Sequence, residues 1–241
     1  MNANFKPLSA LTGLKALDIS GTFVANVRYL KALPELRELS MSHCQNLTSI
    51  QPLTALTELR KLNIGCTNVC DIEPLMPLTK LQFLNIRGLR IDNVVPLTAL
   101  TGLQSLDMTG LRIDNVVPLK TLTVLHELNI SFTDVSDIRP LETLTGLHVL
   151  NMSHCFRVSN ISSLKALTGL HNLNIKITDV SDIGPLAALT GLRELDISFT
   201  DVNDFRPLWA LTGLTALKME GIVGIADVGD LAALTGLRLL E

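Results

Sequence analysis

Apolar and polar residues alternate along short stretches of this chain, and the stretches recur every 22 or 23 residues. In one of them, apolar Leu195 and Ile197 alternate with Glu194, Asp196 and Ser198. A period of two is typical of a β-strand, because successive side chains point to opposite faces. The pattern therefore predicts a short strand whose leucine and isoleucine face a core, while Glu194, Asp196 and Ser198 face outward.

A proline follows most of the predicted strands, as in Arg206-Pro207-Leu208. Proline donates no backbone hydrogen bond, so a strand ladder is disfavoured at this point. The return path to the next strand is about ten residues long, which leaves no room for a long helix. We predict a turn followed by one 3₁₀ or short α segment.

The repeat is marked by a tetrad similar to Leu-Thr-Gly-Leu. It begins at Leu11, Leu33, Leu56, Leu78, Leu100, Leu122, Leu144, Leu167, Leu189, Leu211 and Leu234. Self-similarity at this period is the signature of a leucine-rich-repeat solenoid. We predict an α/β solenoid, a right-handed superhelix with a parallel β-sheet on the concave face and turns with short 3₁₀ or α segments on the convex face. Residues 1–241 are predicted to form a single domain of about ten full repeats and a partial one, without recognisable caps.

The two ends of the chain resemble incomplete repeats. Residues 6–11 read like the back half of a unit, and residues 239–241 fall inside a predicted strand. Solenoids usually carry polar caps at their ends. This pattern favours the interpretation that the chain is a segment of a longer array of repeats. The alternative is that the open edges of the sheet pair with another molecule.

Composition and charge exclude several classes of function. The chain is 47% hydrophobic, but its apolar runs are too short to cross a bilayer, and residues 1–7 lack the apolar core of a signal peptide. The net charge of −3 gives no reason to expect a nucleic acid or an anionic membrane as partner. We therefore expect no nucleic-acid binding and no membrane insertion.

The cysteines and the glycosylation pattern bear on the cell compartment. Cys44 and Cys155 occupy an inward-facing position that is threonine in other repeats, so the four cysteines do not form a disulfide framework. Asn129 and Asn151 match the N-glycosylation pattern on the predicted strand face, where a glycan would bury the surface. Both observations favour an intracellular location over secretion.

The repeat has two family resemblances. Its Asp-Ile-x-Pro-Leu half, seen at residues 182–186, resembles the repeat of bacterial internalins. The longer variant at residues 41–50, Met-Ser-His-Cys-Gln-Asn-Leu-Thr-Ser-Ile, recurs in related form at 152–161. It is similar to repeats of trypanosomatid leucine-rich-repeat proteins, a group that includes an adenylate cyclase regulator. Both resemblances imply the solenoid fold and say little about a specific role.

The candidates for partner binding are outward aromatic and basic residues, several of which differ from the equivalent residues of other repeats. They are Phe83, Arg87, His126, Phe132, His148, His154, His171, Lys176 and Phe199. Exposed aromatic and basic residues are typical of binding hot spots. The alternative is that Phe132 and Phe199 cover the sheet edge and only complete the packing.

Three histidines hold the same place in consecutive repeats. His126, His148 and His171 should lie about 5 Å apart along the sheet margin. A zinc site and a pH-sensitive patch are two interpretations. Because Lys15 and Arg37 occupy the same column in other repeats, a basic, solvated column is the favoured interpretation.

The sequence contains no catalytic motif, such as a nucleophile elbow, a P-loop or a His-Glu-x-x-His helix. We therefore expect no enzyme activity and no cofactor. The predicted function is a scaffold that binds a protein partner on the concave sheet face. The alternative is a structural or oligomeric assembly element that self-associates through its uncapped edges.

Overall fold

The computed structural model describes residues 6–222 and 231–241. The chain divides into two compact units, Met1–Ile113 and Asp114–Glu241. We call them the N-terminal unit and the C-terminal unit. Whether the chain acts as the single domain predicted from its repeats stays a prediction.

The N-terminal unit contains five strands, and each pairs in parallel with the next one in the chain. They are β1 (Ala16–Asp18), β2 (Glu38–Ser40), β3 (Lys61–Asn63), β4 (Phe83–Asn85) and β5 (Ser105–Asp107). Short 3₁₀ helices separate them, at Lys6–Ala10, Arg28–Ala32, Gln51–Ala55, Glu73–Leu75 and Val95–Ala99.

The C-terminal unit repeats this arrangement with six parallel strands. They are β6 (Glu127–Asn129), β7 (Val149–Asn151), β8 (Asn172–Asn174), β9 (Glu194–Asp196), β10 (Ala216–Lys218) and β11 (Leu239–Leu240). Its described 3₁₀ helices are Val117–Thr121, Arg139–Thr143, Ser162–Ala166, Gly184–Ala188 and Arg206–Ala210. The predicted solenoid of parallel strands and short 3₁₀ segments is confirmed in both units.

The core of each unit is a stack of equivalent apolar side chains. The central strand residues are paired in register, for example Leu128 with Leu150 and Leu150 with Leu173, and all three are buried. Each repeat can bury its apolar side only against its neighbours, which is why the repeat must be continuous. Burial of a leucine side chain contributes about 1.5–3 kcal/mol to folding.

The cysteine and threonine column turns inward, as predicted. The Thr133 hydroxyl donates a hydrogen bond to the Ile130 carbonyl at 2.8 Å. Cys155 is fully buried, and its Sγ lies 3.2 Å from the same carbonyl. Cys44 is placed identically against Ile19 in the N-terminal unit. These side chains therefore satisfy backbone carbonyls that the short strands leave without a partner.

An aspartate or asparagine ends most of the strands, and β2 and β10 end in Ser40 and Lys218. The Asn129 side-chain oxygen accepts a hydrogen bond from the Ser131 backbone N–H at 3.0 Å, and Asn151 does the same for Ser153 at 2.9 Å. This local turn is a common use of asparagine and aspartate. The aspartate and asparagine column is thus a structural feature that begins the turn after each of these strands.

The outward serines are less exposed than the alternating pattern predicts. Ser131 and Ser198 are buried, and the Ser198 hydroxyl accepts a hydrogen bond from the Glu220 backbone N–H at 3.2 Å. The prediction that Ser198 faces solvent is therefore wrong, because neighbouring residues cover this position. Within the described ranges, no helix is long and apolar enough to cross a membrane.

Candidate protein-binding site

The third residue after each three-residue strand has a left-handed backbone conformation. In the N-terminal unit φ is between 57° and 71° at Gly21, His43, Cys66, Gly88 and Gly110. In the C-terminal unit φ is between 55° and 70° at Phe132, His154, Ile177, Phe199 and Gly221. Side chains other than glycine are strained here, at a cost of about 1–2 kcal/mol per residue.

A continuing hydrogen-bond ladder holds this conformation. The backbone N–H of Phe132 donates to the Ser153 carbonyl at 3.0 Å, and that of His154 donates to Lys176 at 2.8 Å. Glycine relieves the strain in four of these repeats. The C-terminal unit instead places four large side chains in consecutive repeats. We call Phe132, His154, Ile177 and Phe199 the C-terminal ridge. Strain that is kept at one set of positions points to function there.

Three rings meet at one end of the C-terminal ridge. The rings of Phe132 and His154 are stacked, with centroids 4.0 Å apart and an interplanar angle of 12°. Phe156 meets His154 edge-on at 5.9 Å. Phe132 is 54% exposed and Phe156 is 58% exposed. Phe132, His154 and Phe156, here called the ring cluster, therefore present a rigid aromatic surface to solvent.

The other end of the ridge combines an aromatic ring with charge. Phe199 is half exposed, and the Lys176 Nζ lies 5.2 Å from its ring centroid. Lys176 also forms an ion pair with Glu220 at 3.8 Å. A Cβ atom at Gly221 would collide with the Phe199 ring. Phe199 thus completes local packing and remains available to a partner.

Three neighbouring histidines, His126, His148 and His171, immediately precede β6, β7 and β8. The ring centroids of His126 and His148 are 5.2 Å apart, and those of His148 and His171 are 5.3 Å apart. The predicted spacing is confirmed. Within the described part of the chain, no group of three or more His, Cys, Asp or Glu side chains could hold a metal ion. Any role of this column stays a prediction.

Two predicted site residues lie in the N-terminal unit. Phe83 is the first residue of β4, is 39% exposed and has the Lys61 Nζ at 5.6 Å from its ring centroid. It lines an open groove on the sheet face of β1–β5. Arg87 is exposed, and its side chain packs along Gly65. The structure therefore distributes the predicted residues over both units, with seven of the nine in the C-terminal unit.

Sequence reasoning missed Phe156, Ile177 and the left-handed column itself. A usable signal was present, since Gly21 and Gly88 occupy the same column as Phe132. Glycine recurring at one place in a repeat indicates positive φ. The large side chains in that column could have been recognised as exceptional on this ground.

Formal charge differs sharply between the units. The N-terminal unit contains 11 Lys and Arg and 8 Asp and Glu, a net charge of +3. The C-terminal unit contains 9 Lys and Arg and 15 Asp and Glu, a net charge of −6. These values together give the −3 of the whole chain. The aromatic ridge therefore belongs to an acidic unit.

Cys155 lies between two residues of the ring cluster but is not a reactive group. Burial raises the pKa of the Cys155 thiol above its ordinary value. The Thr133 hydrogen bond acts in the opposite direction, and the negative charge of Asp134 raises the pKa further. A buried thiol with a raised pKa is a poor nucleophile, because only the thiolate reacts readily. Cys155 is thus part of the framework.

Comparisons with known proteins agree with this geometry. The family model for leucine-rich repeats in two copies matches residues 34–75 and 123–166. An internalin, InlF, from Listeria monocytogenes is 31% identical with a TM-score of 0.89, covering 96% of this chain and 67% of that one. Internalin C2 from the same organism is 27% identical with a TM-score of 0.59, covering 88% of this chain and 82% of that one.

A more distant structure shares the fold alone. The ectodomain of the Arabidopsis thaliana receptor kinase GASSHO1/SCHENGEN3, solved with Casparian strip integrity factor 2, is 16% identical with a TM-score of 0.75. The match covers 98% of this chain and 33% of the receptor. No curated protein matches the chain in sequence.

The chain belongs to the leucine-rich-repeat family. Within that family it is similar in structure to the internalins of Listeria monocytogenes. Leucine-rich-repeat proteins generally act as protein-interaction scaffolds, and internalin-like members are generally non-enzymatic.

Proposed function

We propose that this protein is a non-enzymatic module that binds a protein partner through its C-terminal unit. The contact surface comprises the C-terminal ridge and the adjoining sheet face, where His126, His148 and His171 form the opposite margin. The main support for the proposal is the C-terminal ridge. Four large side chains occupy left-handed positions in consecutive repeats, although glycine would be less strained at each of them.

The chemistry of the ridge suits a protein partner. Phe132 and Phe199 are about half exposed, and aromatic residues at the centre of an interface carry much of its binding energy. The backbone beneath them is held by the hydrogen-bond ladder, so little ordering is needed on binding. A preformed surface loses less conformational entropy when a partner docks.

The proposal includes an intracellular location and a relationship to trypanosomatid proteins. The described cysteines are free, and Asn129 accepts a backbone hydrogen bond at the end of β6, where a glycan would stand over the sheet. Internalin-like relatives are often secreted or surface proteins, so the compartment needs a direct test. Fractionation of the source cell should recover the protein with cytosolic markers, and recovery from the medium would contradict the intracellular location.

Affinity capture with two matched variants tests the binding surface. The first is Phe132→Gly with Phe199→Gly, which removes two rings and also relieves backbone strain. The second is His43→Gly with Cys66→Gly, which makes the same kind of change in the N-terminal unit. We expect the wild type and the second variant to capture the same partner from a lysate, and the first variant to lose it.

Two controls complete this experiment. Circular dichroism must show that both variants keep the wild-type fold. Equal capture by all three proteins would contradict binding through the ridge. Capture of the protein's own chain alone would favour the oligomeric assembly element instead, with the uncapped edges as its contact surface.

A further inference from the structure

The ring cluster has a carboxylate beside it. Asp134 is exposed and follows Phe132 by two residues in the same turn. The Thr133 hydroxyl lies 3.5 Å from the Sγ of Cys155, the residue between His154 and Phe156. The two turns therefore pack against each other at this point. The influence of Asp134 on the Cys155 thiol agrees with this proximity.

Two other exposed rings of the protein have a cation over them. Lys176 lies over Phe199 at 5.2 Å, and Lys61 lies over Phe83 at 5.6 Å. Both distances are within the range of a cation–π interaction. In the described part of the chain, no Lys or Arg lies over the ring of Phe132 or Phe156. The ring cluster can therefore accept a cation from another molecule.

The charge of the surrounding unit favours such a cation. The C-terminal unit carries a formal charge of −6, and equivalent turns in its next repeats carry Asp179 and Asp201, both exposed. Complementary charge steers association and suppresses partners of the wrong sign. A basic segment is therefore the partner chemistry that matches this unit.

We propose that the ring cluster and Asp134 form a binding site for the guanidinium group of an arginine, presented by a basic segment of the partner protein. The inference rests on the proposed protein-binding function and names the partner chemistry of that surface. Arginine fits better than lysine for two reasons. Its planar guanidinium stacks on aromatic rings, and it can bind a carboxylate with two parallel hydrogen bonds.

The N-terminal unit provides an internal comparison. The turns that correspond to the site carry Gly21, Phe23, His43 and Gln45 in place of Phe132, Asp134, His154 and Phe156. His43 has the same left-handed φ of 59° as His154. The framework is thus present there, whereas the stacked phenylalanine and the carboxylate are absent. We expect arginine binding only at the C-terminal site.

Ring resonances of the full chain in NMR spectroscopy can report this binding directly. The probes are N-acetyl-arginine methylamide and its neutral analogue N-acetyl-citrulline methylamide, each added up to tens of millimolar. We expect saturable shifts at the rings of Phe132, His154 and Phe156 with arginine. We expect the citrulline probe to bind about tenfold more weakly or not at all, because it lacks the charge that the site recognises.

Two aspartate variants test whether Asp134 provides the carboxylate that binds arginine. Asp134→Asn copies Asn68, which occupies the equivalent position in the N-terminal unit, so the fold should tolerate it. It should weaken arginine binding about threefold to thirtyfold. Asp179→Asn makes the same change in a repeat without the ring cluster, and it should leave binding unchanged. Phe132→Gly should abolish the shifts at the remaining two rings.

The possible outcomes separate this inference from the proposed function. Equal shifts with arginine and citrulline, no shift in the wild type, or unchanged binding by Asp134→Asn would each overturn the arginine site. If the arginine probe fails but the ridge variant still loses its captured partner, the proposed function stands without this inference. If sedimentation shows that Phe132→Gly abolishes self-association, a second copy occupies the surface and the inference is overturned.

Discussion

Two repeats share the Met-Ser-His-Cys stretch. Comparing them distinguishes the residues that maintain the fold from those proposed to bind a partner. His43 and His154 have the same φ of 59°, and the cysteine that follows each is fully buried. Each cysteine Sγ lies 3.2 Å from the isoleucine carbonyl of the preceding repeat. The surroundings differ, because Gly21 precedes His43 in the left-handed column and Phe132 precedes His154.

This difference shows where the protein can vary without losing its fold. The buried methionine and cysteine and the left-handed histidine are the same in both repeats, so the packing of the framework constrains them. The left-handed column accepts glycine, cysteine, histidine, isoleucine or phenylalanine. A surface that varies over a fixed backbone can acquire binding specificity, and the ring cluster lies on such a surface.

The largest expected effect concerns the shared framework. Met41 and Met152 are fully buried and hold equivalent places in the two repeats. Met41→Ala and Met152→Ala should each destabilise the protein by about 2–5 kcal/mol, because each leaves a cavity in the core. Urea unfolding followed by circular dichroism measures this loss. A large loss in only one of the variants would contradict an equivalent framework.

The second effect concerns binding and should separate the two repeats. Phe132→Gly with Phe156→Gln gives the C-terminal repeat the residues that the N-terminal repeat has at Gly21 and Gln45. Affinity for the captured partner should fall by about 2 kcal/mol, or about thirtyfold, because hot-spot rings are lost. Isothermal titration calorimetry measures the change. His43→Gly is the control and should leave the affinity unchanged.

A smaller effect concerns backbone strain in the left-handed column. Gly21→Phe introduces the strain that Phe132 bears and should destabilise the protein by about 1 kcal/mol. A Cβ at Gly21 has open space, so crowding does not confuse the result. Phe132→Gly should change stability by no more than about 1 kcal/mol, because relief of strain offsets the lost ring contact.

Thermal unfolding measures the stability of Gly21→Phe and Phe132→Gly, with Gly13→Ala as the control. Gly13 has no positive φ and open space around its Cβ position, so alanine there should be almost neutral. A Gly21→Phe variant as stable as the wild type would show that the column is not strained.

The smallest effect depends on pH. Hydrogen bonds from Arg139 lower the pKa of Asp137 to about 2, and Asn26 and Arg28 hold the equivalent places in the N-terminal unit. A pKa that is lower in the folded state stabilises the protein at pH values above the unfolded pKa of about 4. That contribution is lost as the pH falls from about 4 to about 2.

Asp137→Asn should therefore lower the midpoint of thermal unfolding slightly at pH 7 and not at pH 2. The decrease in the midpoint is small because the ion pair between Asp137 and Arg139 is exposed to solvent. The asparagine can still accept the Arg139 backbone hydrogen bond, as Asn26 does for Arg28, so the variant loses only the charge and the guanidinium hydrogen bonds to the second carboxylate oxygen. A destabilisation that persists at pH 2 would contradict this explanation.

The fold was predictable from the sequence because each repeat has the same pattern of apolar and polar residues. The alternation around Leu195 and the proline step at Pro207 predicted β9 and the 3₁₀ helix Arg206–Ala210. The exposure of Ser198 was not predictable, since it depends on the neighbouring Glu220 backbone. A period-two pattern reports the side of the sheet on which a residue lies, and it does not report what covers that residue.

The candidate site was predictable in part. The exceptional residues Phe132 and Phe199 were found because they differ from their column, and the structure places both in left-handed turns. Phe156 was missed because it lies in the loop beyond the column, and its edge-on contact with His154 depends on the conformation of that loop. The proposed pairing of Asp134 with the ring cluster likewise depends on the packing of Thr133 against Cys155, which are 22 residues apart in sequence.

Hydrogen exchange of the protein alone and in complex with its captured partner tests the central claim most directly. We predict that binding slows exchange at the strand ends of the C-terminal unit, at residues 131–134, 153–156 and 198–201. Residues 42–45, which have the same backbone, should exchange at an unchanged rate. Protection confined to 42–45, or to the 3₁₀ helices, would contradict the claim that the aromatic ridge is the binding surface.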